Sequence, residues 1–446
     1  MENIIDTICA KADEASIRQA GQILKRGGLV AFPTETVYGL GADALNEDAA
    51  AKIYAAKGRP SDNPLIVHIT ERKMLDGIVS EVSPQAELLM EKFWPGPMTL
   101  IFKKSDLVPY GTTGGLDTVA VRMPSHPIAR AVINAGGGYI AAPSANTSGR
   151  PSPTKASHVE EDLCGKIDMI LDGGEVDIGL ESTIVDVSTD QPMILRPGYI
   201  SQAMLKEVIG PVEIDRALLL DSSKAHPKAP GMKYKHYAPK ADLKIVEGRE
   251  DEVIAAINRL VEQGNKAGEK VGVIATEETK GLYEGGIVKS IGSRKDELSI
   301  ARHLFGILRD FDELKVDRIH SANPVAAGGA AYQGGKAGLL AEQDEGFRGG
   351  VDRFIYQHPD ASAKGTRLCR RFHGMGDGKH IGGQGTVRGI QPGQLRQSGE
   401  GAEGGGGEGL VQIRVVVGAP PHQGQVQAGQ GEVNVGGTQK LIPEEL

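Results

Sequence analysis

Two short stretches concentrate side chains that can bind an anion. Lys57 and Arg59 flank a glycine in KGRPSDNPLIVH, and Ser144 and Asn146 follow later in PSANTSGR. Arginine offers a planar fork to phosphate or carboxylate and lysine a point charge, while serine and asparagine add hydrogen bonds. The combination predicts a site for a ligand that carries phosphate or carboxylate groups. The alternative is a solvated helix end, where the two cations only complement the helix dipole.

The elements around the first pair favour the ligand site. The apolar run at residues 29–32 predicts a buried strand, followed by the polar residues TETVY at 34–38. Asn46 can cap a helix that ends at Gly58, and a second strand, LIVHI, contains His68. In open α/β sheets, ligands bind at the carboxyl ends of strands. We therefore expect both cations beside a polar strand end.

Further polar residues stand at other predicted strand ends. Arg122 closes TVAVR, Ser182 begins STIVD and Arg196 closes MILR. An arginine in an apolar strand needs a partner, because burying an unpaired charge is costly. For any one of these residues, capping a turn is the simpler interpretation. Several such strand ends in one chain favour a shared pocket.

The bulk composition argues against several classes of protein. The 446 residues carry 50 basic and 58 acidic side chains, a net charge of −8, which argues against a surface that coats nucleic acid. The three cysteines, Cys9, Cys164 and Cys369, have neither metal-site nor disulfide-framework spacing. There is no signal-peptide pattern and no long apolar run. We expect a cytoplasmic protein without a membrane contact or a metal site of its own.

Four regions are predicted along the chain. Residues 1–221 alternate helices and strands and then cluster strands, which predicts an α/β domain with a twisted mixed sheet and flanking helices. Residues 222–242 have the Pro- and Lys-rich composition of a linker. Residues 243–320 predict a smaller, Rossmann-like α/β domain, and no Gly-rich phosphate loop follows its first strand. Residues 321–446 hold 30 of the 61 glycines and predict a disordered tail.

The motifs KGRPSDNPLIVH, PSAN at 143–146 and ESTIVD at 181–186 resemble the YrdC-domain family in its two-domain form. The resemblance extends from about residue 10 to 320, and it implies threonylcarbamoyl-AMP synthase chemistry. It implies that Lys57 and Arg59 are catalytic. It assigns threonine to Thr36, His68, Arg122, Ala142 and Ser182. It assigns ATP to Arg59, Asn63, Thr118, Ser144, Ser152, Arg196 and His236.

The implied reaction joins L-threonine and bicarbonate, adenylates the product with ATP and releases pyrophosphate. Mg²⁺ would arrive with ATP, the linker would cover the active site, and the product would pass to transferases that modify adenosine 37 of tRNA. Two alternatives stay open. One is an RNA-binding module, although no aromatic stacking strip is present. The other is a carbamoyl-adenylating domain of a hydrogenase-maturation protein, although the zinc-finger cysteines of such proteins are missing.

The tail departs from the family pattern. The resemblance is predicted to stop inside the strand that begins with DRIHS, which leaves the second domain incomplete. From about residue 321 the chain is either a genuine disordered extension or a non-native segment, for example from a shifted reading frame. Translating the other two frames of the coding DNA after Ser321 separates these hypotheses.

Overall fold

The computed structural model describes residues 5–215, 229, 238–322 and the backbone of 412–415. Two sheets organise these residues. The larger sheet belongs to the first domain and the smaller one to the second. This arrangement confirms the predicted α/β class, with a large mixed sheet and a second, mainly parallel sheet.

The first sheet has eleven strands and mixed pairing. They are β1 (Ile8–Lys11), β2 (Val30–Pro33), β3 (Tyr38–Asp43), β4 (Ile66–His68), β5 (Met98–Lys103), β6 (Thr118–Arg122), β7 (Ile140–Ala141), β8 (Met169–Asp172), β9 (Thr183–Asp186), β10 (Met193–Arg196) and β11 (Glu213–Ile214). Their order is β1-β8-β2-β3-β7-β4-β6-β5-β9-β10-β11. Strand β4 runs parallel to β6, so His68 and Arg122 end their strands side by side, whereas β7 is antiparallel to β4 and the segment after β7 runs back past Ile66.

Helices pack on both sides of this sheet, where apolar clusters form its core. They are α1 (Glu14–Lys25), α2 (Glu47–Lys57), α3 (Leu75–Ile78), α4 (Pro84–Phe93), α5 (Tyr110–Thr113), α6 (Pro127–Ala135), α7 (Ala156–Leu163) and α8 (Gln202–Ile209), with a 3-10 turn at Arg72–Met74.

The caps of the early helices follow from their sequence. Asp13 accepts from the Ser16 backbone and forms a capping box, and Asn46 accepts from the Ala49 backbone. Gly58 ends α2 in the left-handed conformation that glycine adopts without strain. The Asn46 cap and the end at Gly58 confirm the predicted start and end of α2.

Some elements of the first domain were not predicted. Between β2 and α2 the chain forms β3, where only a polar turn was expected, because the two glycines of YGLGAD lower the strand propensity. Gly41 is needed there, since a Cβ atom would lie 2.6 Å from the Phe32 ring. Strand β1 and helices α7 and α8 were also missed.

The second domain has four parallel strands and two long helices. They are β12 (Asp242–Glu247), α9 (Glu250–Lys266), β13 (Val271–Ala275), β14 (Ile287–Ser290), α10 (Glu297–Glu313) and β15 (Arg318–Ala322), with a 3-10 turn at Lys280–Leu282. The order is β14-β13-β15-β12, and β16 (Gln412–Val415) adds to β12 antiparallel. Two predictions therefore need correction: β15 runs past residue 320, and the tail contains a strand.

An apolar interface joins the two domains. Val37, Ile178 and Leu180 of the first domain belong to one buried cluster with residues of α10 that include Leu304 and Phe305. The side chain of Ala229, in the predicted linker, packs against Ile66 and its neighbours in another cluster. Most of the predicted linker, including His236, lies outside the described residues.

Candidate active site

One cavity opens where the ends of several first-domain elements meet. It is lined by the turn after β2, the exit of α2, strands β4 and β6, the segment after β7, and the β9–β10 pair. The lining residues are Thr34, Val37, Gly39, Arg59, Ile66, His68, Arg122, Ala142, Pro143, Ser144, Glu181, Ser182 and Arg196. Seven of the residues singled out from the sequence are therefore brought together: Arg59, His68, Arg122, Ala142, Ser144, Ser182 and Arg196.

Arg122 is fixed by a buried ion pair. Its Nη2 donates to Glu35 Oε1 at 2.7 Å, and the two side chains are only 5% and 6% exposed. Its Nε also donates to the Gly96 carbonyl. Burial raises the pKa of Glu35, but the Arg122 charge and hydrogen bond outweigh burial, so the pKa lies below its ordinary value. A guanidinium has five N–H groups, and these contacts use two of them. The other N–H groups of Arg122 are suited to bind a second carboxylate.

Arg196 is anchored on Ser182. Its Nε and Nη2 donate to the Ser182 carbonyl at 3.1 and 2.9 Å, and Nη2 also reaches the Ser182 hydroxyl at 3.0 Å. The same hydroxyl lies 2.7 Å from Thr99 Oγ1. Strands β5, β9 and β10 thus hold one arginine and one serine in fixed positions at the cavity wall.

Lys57 and Arg59 are both buried, so the interpretation as a solvated helix end is wrong. Arg59 is 8% exposed and donates to the carbonyls of Asn63 and Pro64. Lys57 is 2% exposed and donates to the Ser144 and Asn146 carbonyls. Burial, and then the charge of Arg59, lowers the pKa of Lys57. Arg59 lines the cavity, whereas Lys57 lies behind it and ties α2 to the 144–146 turn.

His68 enters the cavity as a neutral imidazole. Burial, reinforced by the nearby Arg122 charge, lowers its pKa to about 3. Its Nδ1 lies 3.0 Å from the Ile66 carbonyl, an acceptor, so Nδ1 carries the ring proton. This contact fits a structural hydrogen bond.

Of the described residues that line the cavity, Glu181 alone carries a carboxylate, and the sequence interpretation missed it. Its Oε1 accepts from Ser152 Oγ at 2.6 Å, and the side chain is buried. Three guanidinium groups line the same cavity as this one acid, so the lining charge is positive. The sequence signal was its place one residue before Ser182 in ESTIVD.

The remaining predicted residues that the structure describes do not line the cavity. Thr36 is buried with its hydroxyl 2.9 Å from Thr34 Oγ1, and Asn63 is buried beside Arg59. Ser152 touches the wall through Glu181. Thr118 begins β6, at the end opposite to Arg122.

The described residues contain no group of three or more His, Cys, Asp or Glu side chains arranged to hold a metal ion. In the same part of the chain, every helix is too short or too polar to cross a membrane.

Comparisons with known proteins agree with this geometry. Residues 22–198 match a family model described as telomere recombination, and residues 200–333 match the threonylcarbamoyl-AMP synthase C-terminal domain. The second match extends beyond residue 320, so the predicted end of the resemblance was too early.

Two curated relatives are threonylcarbamoyl-AMP synthases. That of Bacillus subtilis is 49% identical over 308 residues, covering 69% of this chain and 87% of the relative. That of Pyrococcus abyssi is 49% identical over 316 residues, covering 71% and 91%. The solved structure of Pyrococcus abyssi Sua5 complexed with L-threonine superposes with a TM-score of 0.66 at 47% identity, covering 72% of this chain and 92% of that one. The chain therefore belongs to the threonylcarbamoyl-AMP synthase family, a family of nucleotidyltransferases.

Proposed function

We propose that this protein makes L-threonylcarbamoyladenylate from L-threonine, bicarbonate and ATP, and releases pyrophosphate. One observation carries the proposal: residues from five separate segments that the family resemblance assigns to threonine or ATP line a single cationic cavity. They are Arg59, His68, Arg122, Ala142, Ser144, Ser182 and Arg196. A solved relative complexed with L-threonine supports the same ligand here.

The proposed chemistry has two steps. The threonine amine attacks the carbon of bicarbonate, and loss of water gives N-carboxythreonine. A carboxylate oxygen of this carbamate then attacks the α-phosphorus of ATP, and the bond to the β-phosphate bridging oxygen breaks, with pyrophosphate as the leaving group. Such phosphoryl transfer needs positioning and charge neutralisation more than a nucleophilic side chain. The cavity fits this requirement, because its wall carries three arginines and a neutral histidine.

The residues divide by chemistry. Arg122 is suited to the threonine carboxylate, since its fork is preset by Glu35. Arg59 and Arg196 are suited to the phosphates, because their other contacts include backbone carbonyls that leave the positive charge in place. Lys57 would act by holding the Ser144 turn.

Mg²⁺ would enter with the triphosphate. The described donors form no carboxylate cluster for a resident ion, so the contacts of Mg²⁺ are proposed to come from ATP and water. The product would pass to transferases that modify adenosine 37 of tRNA, and we place this reaction in the cytoplasm. The segment 222–242 is proposed to cover the cavity mouth during the reaction.

A pyrophosphate-release assay tests the proposal. Purified protein is supplied with ATP, Mg²⁺, L-threonine and bicarbonate, and each component is omitted in turn. We expect release only with the complete mixture, together with an adenylate product of the mass of threonylcarbamoyl-AMP. Release that needs a carbamoyl donor in place of threonine and bicarbonate would favour the hydrogenase-maturation chemistry. RNA binding without any release would favour the RNA-binding module.

A further inference from the structure

A buried arginine of the second domain reaches into the first domain. Arg309 lies on α10 and its side chain is fully buried. Its Nη2 donates to the Pro151 carbonyl at 2.6 Å and to Asp162 Oδ2 at 2.9 Å, and its Nε also donates to Pro151. Its Nη1 contacts Glu161 Oε2 at 3.2 Å. Every one of these acceptors belongs to the first domain.

The acceptors of Arg309 belong to, or form hydrogen bonds with, the loop of residues 144–152. Asp162, whose side chain is also fully buried, accepts from the Thr147 backbone at 3.0 Å and from Arg150. The Thr147 hydroxyl donates to the Asp162 carbonyl. Arg309 thus holds the loop through Asp162 in its middle and through the Pro151 carbonyl near its end.

Both ends of this loop belong to the cavity. At the start, Ser144 lines the wall, and its hydroxyl donates to Asn146 Oδ1 at 2.6 Å. At the end, Ser152 donates to Glu181, which also lines the wall. The carbonyls of Ser144 and Asn146 hold Lys57. A displacement of the loop would therefore move the groups proposed to contact ATP.

The same helix also contacts the chain that leaves the linker. Asp312, one turn beyond Arg309, accepts from the Lys240 backbone at 2.7 Å, and the Gly149 carbonyl accepts from the Ala238 backbone at 3.2 Å. The loop therefore lies between α10 and the end of the linker, and α10 contacts both.

We propose that Arg309 is a positioning residue, through which the second domain fixes the 144–152 loop in the geometry that binds ATP. This inference rests on the proposed function of the cavity. Stability alone is a weak reason for such a residue, because buried ion pairs are often no more stable than apolar replacements of similar volume. Apolar contacts through Leu304 and Phe305 already join the domains. What the contacts of Arg309 add is a fixed position of the 144–152 loop.

The test compares two arginines of the same helix. Arg309→Met removes the contacts to the loop, while Arg309→Lys keeps the charge but cannot reach Pro151 and Asp162 with the same fork. Arg302→Met is the matched control, because Arg302 donates to the Asp177 carbonyl of the first domain without touching the loop. Each variant is assayed for thermal stability, for Mg²⁺-ATP binding by calorimetry without threonine, and for the KM of ATP and of threonine.

We expect Arg309→Met to weaken ATP binding about tenfold and to leave the threonine KM within about threefold of wild type. Arg309→Lys should weaken ATP binding to an intermediate extent. Arg302→Met should leave ATP binding within about twofold of wild type. Unchanged ATP binding in a folded Arg309 variant, equal losses for both substrates, or the same loss in Arg302→Met would overturn the inference. Loss of folding in both Arg309 variants would assign the residue to stability and overturn it as well. If wild type binds ATP but shows no threonine-dependent release, the proposed function fails while the positioning role is still decided by calorimetry.

Discussion

The two domains use polar residues after their strands in different ways. In the second domain, the turns after β13 and β14 satisfy each other's polar groups: Glu278, after β13, accepts from the Ser293 hydroxyl at 2.6 Å and from the Arg294 backbone at 3.0 Å, and both donors follow β14. The Ser293 hydrogen bond is the main cause that lowers the pKa of Glu278 to about 2. In the first domain, three arginines instead surround a cavity with one carboxylate on its wall.

The difference shows what distinguishes a site from a turn. Both domains have the same local pattern, a buried strand followed by polar residues at its carboxyl end. The first domain gathers like charges around a space, and the described residues that line this space all come from that domain. An excess of one sign of charge in a poorly hydrated cavity favours a ligand of the opposite sign. The following predictions test this contrast, beginning with the largest expected effect.

Acid should destabilise the first domain more than the second. His68 and His158 of the first domain have pKa values lowered to about 3 and about 4, and His320 of the second to about 4, in each case mainly by burial. The unfolded chain takes up these protons near pH 6.5, before the folded chain does, so stability is complete above that pH and falls below it. At pH 5 each histidine lowers the free energy of unfolding by about 2 kcal/mol.

Urea unfolding at pH 7 and pH 5 measures this difference. The single tryptophan, Trp94, reports on the first domain by fluorescence, and hydrogen exchange of α9 and β13 reports on the second. Between pH 7 and pH 5 we expect the free energy of unfolding to fall by about 4 kcal/mol in the first domain and by about 2 kcal/mol in the second. His320→Gln should remove the loss in the second domain only. Equal stability at both pH values would contradict the assignment of neutral buried histidines.

Arg59→Ala should remove most of the pyrophosphate release and leave the fold intact. A buried charge-assisted contact is typically worth about 1.5–3 kcal/mol, which corresponds to a loss of about ten- to a hundredfold or more in kcat/KM. Arg249→Ala in the second domain is the control, because its side chain is 64% exposed and its ion pair with Asp251 is worth little. Wild-type turnover of Arg59→Ala would remove this residue from the site.

Arg122→Lys should raise the KM of threonine about tenfold and that of ATP much less, because a point charge replaces a fork. Arg196→Lys provides the reverse comparison and should act mainly on the KM of ATP. Steady-state kinetics with one substrate varied at a time measures both. If Arg122→Lys changed only the KM of ATP, the roles assigned to these two arginines would be exchanged.

Removal of residues 334–446 should have the smallest effect. The C-terminal family match ends at residue 333, and the described residues that line the cavity end at Arg196. We expect kcat/KM within about twofold of the full chain, a smaller change than a single lost hydrogen bond produces. A large loss of activity would show that the tail contributes to the site.

Local patterns predicted much of the fold. The strands Val30–Pro33, Ile66–His68 and Thr118–Arg122 and the helix Glu47–Lys57 lie where apolar runs and a cap predicted them. Strand β3 was missed because its glycines lower the local strand propensity, whereas Gly41 is required by packing against Phe32, a contact that local propensity does not contain. Edge strand β1 has four residues, too few for a clear period.

The site was predictable in its residue types and less so in its contacts. Arg59, Arg122 and Arg196 were chosen from strand and helix ends, and the structure places all three around one cavity. The burial of Lys57 was missed because its acceptors Ser144 and Asn146 lie 87 and 89 residues away. Arg309 lies 147 residues from Asp162, and no local pattern indicates a contact over such a separation.

The fixed arginines also determine how binding entropy is distributed. A free arginine side chain loses rotamer freedom worth about 1.5–2 kcal/mol when it is immobilised. Arg122 is already immobilised by Glu35 and Arg196 by Ser182, so folding has met that cost before any ligand arrives. A ligand that binds such rigid groups gains more affinity from each contact, because less side-chain entropy is lost on binding. On this basis the cavity should bind small substrates with a less unfavourable entropy change than a site built from mobile surface arginines.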